Sequence, residues 1–194
     1  MNEIIKKALK WMRDSAGDDT HGYDQTHRNG PNYDCSSAVI TAYKNAGVDT
    51  GATYTGNMYE NFKRHGFTDV TQTVNFATQN GLCEGDVLLA PYQHTAMYNG
   101  AGTIVHAGSN EHGRATGGKS GDQTGKEFCI RPYYNYPWVY CLRYTGTGEI
   151  PKKVINDVIK GRYGNGAIRR KRLAMDGYDY DLVQREVNRI LKGR

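Results

Sequence analysis

The sequence has few of the features that mark disulfide-stabilised or membrane-spanning proteins. Its 194 residues include four cysteines and five prolines, and the cysteines match neither a disulfide framework nor a zinc ribbon in number or spacing. No apolar run approaches the length of a membrane-spanning helix. With 38% hydrophobic residues and a mean hydropathy of −0.73, the chain has the composition of a soluble protein with one core domain and a small module.

The N-terminus also lacks an uninterrupted apolar signal region. Residues 1–11 show helical periodicity instead, so we expect synthesis in the cytoplasm without a signal peptide. Three of the cysteines, Cys83, Cys129 and Cys141, lie beside or within strand-like segments, and we predict that they are packing residues.

Charge is distributed unevenly along the chain. Residues 1–149 contain 13 Lys and Arg against 15 Asp and Glu, a net charge of −2, whereas residues 150–194 contain 12 against 5, a net charge of +7. A short Gly/Thr/Pro-containing segment separates the two parts. We therefore predict a first domain over residues 1–145, a linker over 146–151 and a second unit over 152–194, whose basic charge favours a polyanionic partner.

A cysteine stands at the predicted start of a helix. Apolar residues recur at helical spacing from Ser36 to Ala46, and Gly47 is a typical helix stop. Unpaired N–H groups and the positive end of the helix dipole favour a thiolate at this position. Because the thiolate is the form that attacks carbonyl groups, Cys35 is a candidate catalytic nucleophile.

Two histidines lie in a predicted β-hairpin. Residues 85–90 read as a turn and a buried strand, and residues 94–98 and 103–107 read as two further strands. A hairpin centred near Gly100 would pair residue 94 with 106, residue 96 with 104 and residue 98 with 102. His94 and His106 would then stand on one face of the sheet, where one ring can take the thiol proton and the other can fix its tautomer.

In this order, the motifs Asp-Cys-Ser-Ser, Gly-Asp-Val-Leu-Leu, His-Thr-Ala-Met-Tyr and Ile-Val-His-Ala resemble those of the NlpC-type papain-like cysteine peptidases. Residues 22–25 and 28–31 are similar to the bacteriophage peptidoglycan hydrolase branch. The resemblance covers roughly residues 1–145 and implies an α+β papain-like domain with a helix packed on an antiparallel sheet. It also implies that Cys35 is the nucleophile, His94 the general base and His106 the orienting residue.

Other residues near Cys35 are predicted to bind substrate, namely Tyr23, Asp34 and Ser36. Asp34 is also suited to cap the helix. Four tyrosines that flank the predicted site could form an aromatic wall for the ligand or belong to an ordinary β core: Tyr23, Tyr33, Tyr92 and Tyr98. The segment 108–126 matches no pattern, and no cofactor or metal is expected.

The basic tail is predicted to form three helices, over Lys152–Lys160, Gly166–Asp176 and Asp181–Lys192. Eight apolar residues could form its core: Val154, Val158, Ile168, Leu173, Leu182, Val187, Ile190 and Leu191. A DNA-binding helix-turn-helix is one alternative for such a unit. However, residues 161–166, 170–173 and 177–183 closely resemble the short wall-binding repeat of some phage lysozymes, which implies binding to peptidoglycan rather than to nucleic acid.

These resemblances together imply an endolysin that hydrolyses an amide bond in the peptide part of bacterial peptidoglycan. The γ-D-glutamyl bond of the stem peptide is favoured over the bond between muramic acid and L-alanine. Release by a holin, without membrane insertion, would follow from the family. Two alternatives stay open: a non-catalytic wall-binding protein, and a zinc hydrolase that uses Cys35, His94 and His106 as ligands.

Overall fold

The computed structural model describes residues 2–146, 150–176 and 178–193. The α-helices are α1 (Glu3–Ser15), α2 (Cys35–Asn45), α3 (Thr55–Arg64), α4 (Lys152–Ile159), α5 (Gly166–Met175) and α6 (Tyr180–Lys192). The strands are β1 (Phe67–Asp69), β2 (Val87–Ala90), β3 (His94–Gly100), β4 (Thr103–Ala107), β5 (Phe128–Pro132) and β6 (Tyr140–Tyr144). Within these ranges, no helix is long and apolar enough to cross a membrane.

The six strands form one sheet in the order β1-β6-β2-β3-β4-β5. Every pair of neighbouring strands is antiparallel. All four residues of β2 are buried, because this strand lies inside the sheet and both of its faces are covered. The predicted strands over residues 87–90 and 103–107 are confirmed.

One face of the sheet packs against the first three helices. The core on this face includes Val87, Met97 and Val105 from the strands, together with Ala38 and Tyr43 from α2. Small residues allow α2 to lie close to the sheet, and the apolar stripe predicted for this helix is buried as expected. The result is the helix-on-antiparallel-sheet arrangement of the predicted α+β class.

The opposite face of the sheet is covered by an aromatic segment without regular secondary structure. Leu88, Ala96 and Ile104 form a second core there with Trp138. The segment 133–138 follows β5 and supplies three tyrosines beside this tryptophan. It therefore covers the side of the sheet that the helices leave open.

The C-terminal helices form a third core of their own. Six residues are buried in it: Val154, Ile155, Val158, Leu173, Val183 and Val187. The three predicted helices are confirmed to within one residue at each end. Ile168 and Leu191 are 59% and 49% exposed, so their predicted place in the core is wrong. Ile168 is five residues from Leu173, which places the two about 140° apart around α5.

The tail also contacts the preceding domain. The Arg185 guanidinium donates to the carbonyl oxygen of Gly146, and the Arg64 guanidinium lies 5.9 Å from the centre of the Tyr178 ring. Residues 147–149 of the predicted linker lie outside the described residues. The division into domains at 145 and 152 stays a prediction.

All four cysteines are free thiols. Cys129 and Cys141 are buried, as expected of packing residues. Cys83 is exposed, so its predicted packing role is wrong: it lies in the turn before β2 rather than within the sheet.

Candidate active site

Helix α2 begins at Cys35 because Asp34 caps it. The Asp34 carboxylate accepts from the backbone N–H of Ser37 at 2.7 Å, and the Ser37 hydroxyl accepts from the backbone N–H of Asp34 at 2.9 Å. This reciprocal pair is a capping box. Cys35 is therefore the first residue of the helix, with the unpaired N–H groups of the first turn around it.

Asp34 and Ser36 are held inside this cap. The Ser36 hydroxyl donates to the Asp34 carboxylate at 2.8 Å, and Arg28 forms an ion pair with the same carboxylate at 2.5 Å. Both residues are buried. The capping role of Asp34 is thus observed, whereas substrate binding by Asp34 and Ser36 stays a prediction.

The hairpin that carries the histidines differs in register from the prediction. Ile104 pairs with Tyr98 rather than with Ala96, a shift of two residues. The turn lies at Ala101 and Gly102, which both have positive φ (47° and 70°), as a two-residue type I′ turn requires. An irregularity between Tyr98 and Gly100 adjusts the pairing. The predicted pairing is therefore wrong, but because a shift of two preserves the face of each residue, the predicted face is correct.

His94 and His106 form a hydrogen bond in spite of this shift. Nε2 of His94 lies 2.8 Å from Nδ1 of His106, and the ring centres are 5.0 Å apart. Because Nε2 is occupied in this way, Nδ1 is the nitrogen of His94 that can accept a proton from a nucleophile. The pair therefore has the base-and-orienter geometry of a catalytic triad.

Both rings are neutral at physiological pH. Burial lowers the pKa of His94 to about 4, and the nearby Arg131 guanidinium adds to this effect. Burial, His94 and Arg131 together lower the pKa of His106 to about 3. A neutral His94 is competent to act as a general base.

Cys35 lies next to the first residues of β3, the strand that begins at His94. The backbone N–H of Thr95, the residue after His94, is close enough to the Cys35 thiol to lower its pKa. Asp34, the residue before Cys35, raises the pKa of His94 through its charge. The beginning of α2 and the beginning of β3 are therefore adjacent, although the two histidines lie on the sheet face opposite the helices.

Burial dominates the titration of the candidate nucleophile, Cys35. It raises the pKa of the Cys35 thiol to about 12, with a further contribution from the Asp34 carboxylate. The backbone N–H groups of Thr95 and Ser36 oppose this rise, as expected at a helix N-terminus. Desolvation thus outweighs the helix terminus that was expected to favour a thiolate, and a nucleophilic role would require the thiol to lose its proton to a base.

A cleft of about 340 Å³ opens over the two histidines. Its walls consist of Tyr23, Gln93, His94, His106, Gly108, Ser109, Arg131, Tyr134 and Tyr136. Tyr23 thus lies in the cleft wall, and its role in substrate binding stays a prediction. Burial raises the pKa of its hydroxyl to about 12, with a smaller effect of Cys35, so the phenol stays protonated and can donate a hydrogen bond.

One aromatic wall of the site was not predicted from the sequence, and it is formed by Tyr134, Tyr136 and Trp138. The Trp138 ring stacks on His94 at 5.9 Å between ring centres, and Tyr134 lies 6.3 Å from His106. The four aromatic residues within 133–138 were the available signal. Of the tyrosines expected near the site, Tyr98 instead belongs to the core on this sheet face.

The segment 108–126 packs against the chain that leads to Cys35. The side-chain oxygen of Asn32 accepts from the backbone N–H of Gly22 at 3.1 Å and of Gly121 at 3.0 Å. A Cβ atom at position 22 would lie 2.0 Å from the Gly121 carbonyl oxygen, so this close approach requires glycine. The buried Asn32 therefore joins the two segments.

The zinc alternative gains no support from the side-chain arrangement. Among the described residues, no group of three or more His, Cys, Asp or Glu side chains is placed to hold a metal ion.

Two family models match the sequence. The model of the endolysin-like domain matches residues 30–103 and 104–163, which is well over half of the chain and includes Cys35, His94 and His106. The chain belongs to the endolysin-like domain family. The model of the CW_7 repeat matches residues 152–191, the region of α4, α5 and α6. No curated protein matches the sequence.

Several solved structures are similar to this endolysin-like chain. NlpC1 from Trichomonas vaginalis has 17% identity and a TM-score of 0.47, over 75% of this chain and 45% of that one. The peptidoglycan hydrolase RipB from Mycobacterium tuberculosis has 16% identity and a TM-score of 0.46, over 73% and 66%. A P60 domain from M. avium subspecies paratuberculosis has 12% identity and a TM-score of 0.43, over 73% and 97%. The chain thus spans less than two thirds of the length of the first two proteins.

Proposed function

We propose that this endolysin-like protein is a cysteine-dependent peptidoglycan hydrolase that cleaves an amide bond in the peptide part of the bacterial wall. The observation that carries the proposal is the His94–His106 pair beside the first residue of α2, inside a cleft with aromatic walls. Membership of the endolysin-like family and the CW_7 match in the tail support peptidoglycan as the substrate.

The reaction begins with the neutral Cys35 thiol. As the sulfur attacks the substrate carbonyl carbon, Nδ1 of His94 accepts the thiol proton. His106 holds the other ring nitrogen and stabilises the imidazolium that forms. The backbone N–H of Cys35, in the first turn of α2, would bind the developing oxyanion.

The second half of the reaction regenerates the thiol. His94 returns its proton to the departing amine nitrogen, and the C–N bond breaks to leave a thioester on Cys35. Water then attacks the thioester carbonyl while His94 takes a proton from the water. The C–S bond breaks, the acid product leaves, and the sulfur recovers its proton.

The C-terminal unit would hold the enzyme on its substrate. Residues 150–194 carry a net charge of +7, and the CW_7 match covers α4 to α6. Anionic wall polymers would add an electrostatic attraction that salt screens. In this proposal, the protein is a phage-type endolysin that reaches the wall after holin-type release and binds wall glycopeptide through its tail.

The bond that is cleaved can be identified by mass spectrometry of fragments released from purified peptidoglycan. We favour the γ-D-glutamyl bond, whose hydrolysis would release truncated stem peptides and leave L-Ala-D-Glu on the glycan. Intact stem peptides with bare glycan would instead indicate cleavage between muramic acid and L-alanine. Wall binding without released fragments, or fragments cut only between sugars, would contradict the proposal.

A further inference from the structure

Arg131 occupies a specific position beside the catalytic histidines. On β5, Cys129 pairs with His106, and Arg131 pairs with Ile104. Because side chains alternate along a strand, Arg131 projects from the same sheet face as His106. Its side chain lines the cleft over the two histidines.

Among the residues that the structure describes, the Arg131 guanidinium has no acidic partner. It makes no hydrogen bond or ion pair with any residue in the described ranges. The guanidinium carbon lies 4.5 Å from the centre of the Tyr134 ring. This stacking orients the guanidinium and leaves its N–H donors available, whereas most other arginines of the chain are paired or hydrogen-bonded.

The charge of Arg131 is also uncompensated within the cleft. Among the described residues that line it, Arg131 is the one with a charged side chain at neutral pH, because both histidines are neutral. The Asp34 carboxylate nearby is buried and already paired with Arg28. The effect of Arg131 on both histidine pKa values shows that its charge is felt at the reacting groups.

We propose that Arg131 is a specificity-determining residue, which binds a free carboxylate of the peptide substrate close to the scissile bond. A planar guanidinium matches a carboxylate with two parallel hydrogen bonds. The enzyme would therefore select stem peptides that carry a free carboxylate at this point over those in which it is amidated. This inference rests on the proposed hydrolase function.

The test uses the full-length protein and two synthetic stem-peptide substrates. They differ only in that the carboxyl group flanking the scissile bond is free in one and a primary amide in the other. We expect wild-type kcat/KM to be about 10- to 100-fold higher for the free acid, the range typical of a hydrogen-bonded charge. Arg131→Gln should lose this preference, so that its kcat/KM values for the two substrates become equal. Arg131→Lys should retain part of it.

Arg114→Gln is the matched control, because Arg114 is exposed and does not line the cleft. It should leave both rates and their ratio unchanged. Equal wild-type rates on both substrates would overturn the Arg131 inference while the hydrolase function stands. Hydrolysis of neither substrate would instead count against the proposed function.

A purely electrostatic effect of Arg131 on His94 would give a different result in the same two-substrate assay. If Arg131 acted only by holding His94 neutral, Arg131→Gln would slow both substrates equally and move the acid limb of the pH–rate profile to higher pH. That outcome would also overturn the carboxylate-binding proposal.

Discussion

The replacement His106→Ala tests whether His106 orients the His94 ring, while His94 itself is the general base. The His106 ring lies 2.8 Å from Nε2 of His94 and is buried. Its removal leaves a buried N–H of His94 without a partner, which costs about 1–3 kcal/mol. The loss of the fixed tautomer adds to this, and in a serine protease triad the corresponding change lowers kcat by about 10⁴. We expect His106→Ala to lower kcat by about 10²–10⁴.

His106→Asn is the matched variant for this experiment. The side-chain oxygen of asparagine can take the position of Nδ1 and accept the hydrogen bond from His94. We therefore expect His106→Asn to retain much more activity than His106→Ala. His94→Ala should be at least as damaging as His106→Ala, because it removes the proton acceptor itself.

The assay is the initial rate of hydrolysis of soluble muropeptides, with thermal unfolding and circular dichroism to confirm that each variant is folded. A folded His106→Ala variant with near wild-type kcat would refute the orienting role. If His106→Ala were inactive and His94→Ala nearly active, the two roles would be exchanged.

Three further predictions follow from the structure. Hydrolysis should decline as the pH falls through about 4, where His94 takes up a proton and can no longer act as a base. An acid limb near 6.5 in log kcat/KM would contradict the lowering of the His94 pKa by burial. Arg143→Met should lower the free energy of unfolding by about 3–5 kcal/mol in denaturant titrations, because it leaves the fully buried Asp86 unpaired; a loss below about 1 kcal/mol would contradict this. Truncation after Gly148 should preserve hydrolysis of soluble muropeptides but weaken lysis of whole cells, and equal lysis by both forms would argue against wall binding by the tail.

Local signals in the sequence predicted the elements that carry the candidate catalytic residues. Asp34, Cys35 and the apolar stripe after them are sufficient to predict the start and buried face of α2, because capping and periodicity act within a few residues. The glycine-terminated helices of the tail are also local features. These predictions needed no knowledge of tertiary contacts.

Features that depend on distant contacts were predicted incorrectly or missed. The hairpin was predicted to centre near Gly100, but the turn lies at Ala101 and Gly102, where φ is positive, and the register shifts by two residues. A thiolate at Cys35 was predicted from the helix terminus alone, whereas burial by other elements raises the pKa of the thiol. One wall of the cleft comes from residues 131–136, about one hundred positions after Cys35, and no local pattern connects this segment to Cys35.

The most direct test of the account compares Cys35→Ser with Cys83→Ser in the release of soluble fragments from purified peptidoglycan. Cys83 is an exposed free thiol outside the cleft, so its replacement controls for the loss of a cysteine. The account predicts that Cys35→Ser is folded and inactive, since an alcohol is a much poorer nucleophile than a thiol. Cys83→Ser should retain the wild-type rate. Wild-type release by a correctly folded Cys35→Ser variant would contradict the cysteine-hydrolase mechanism.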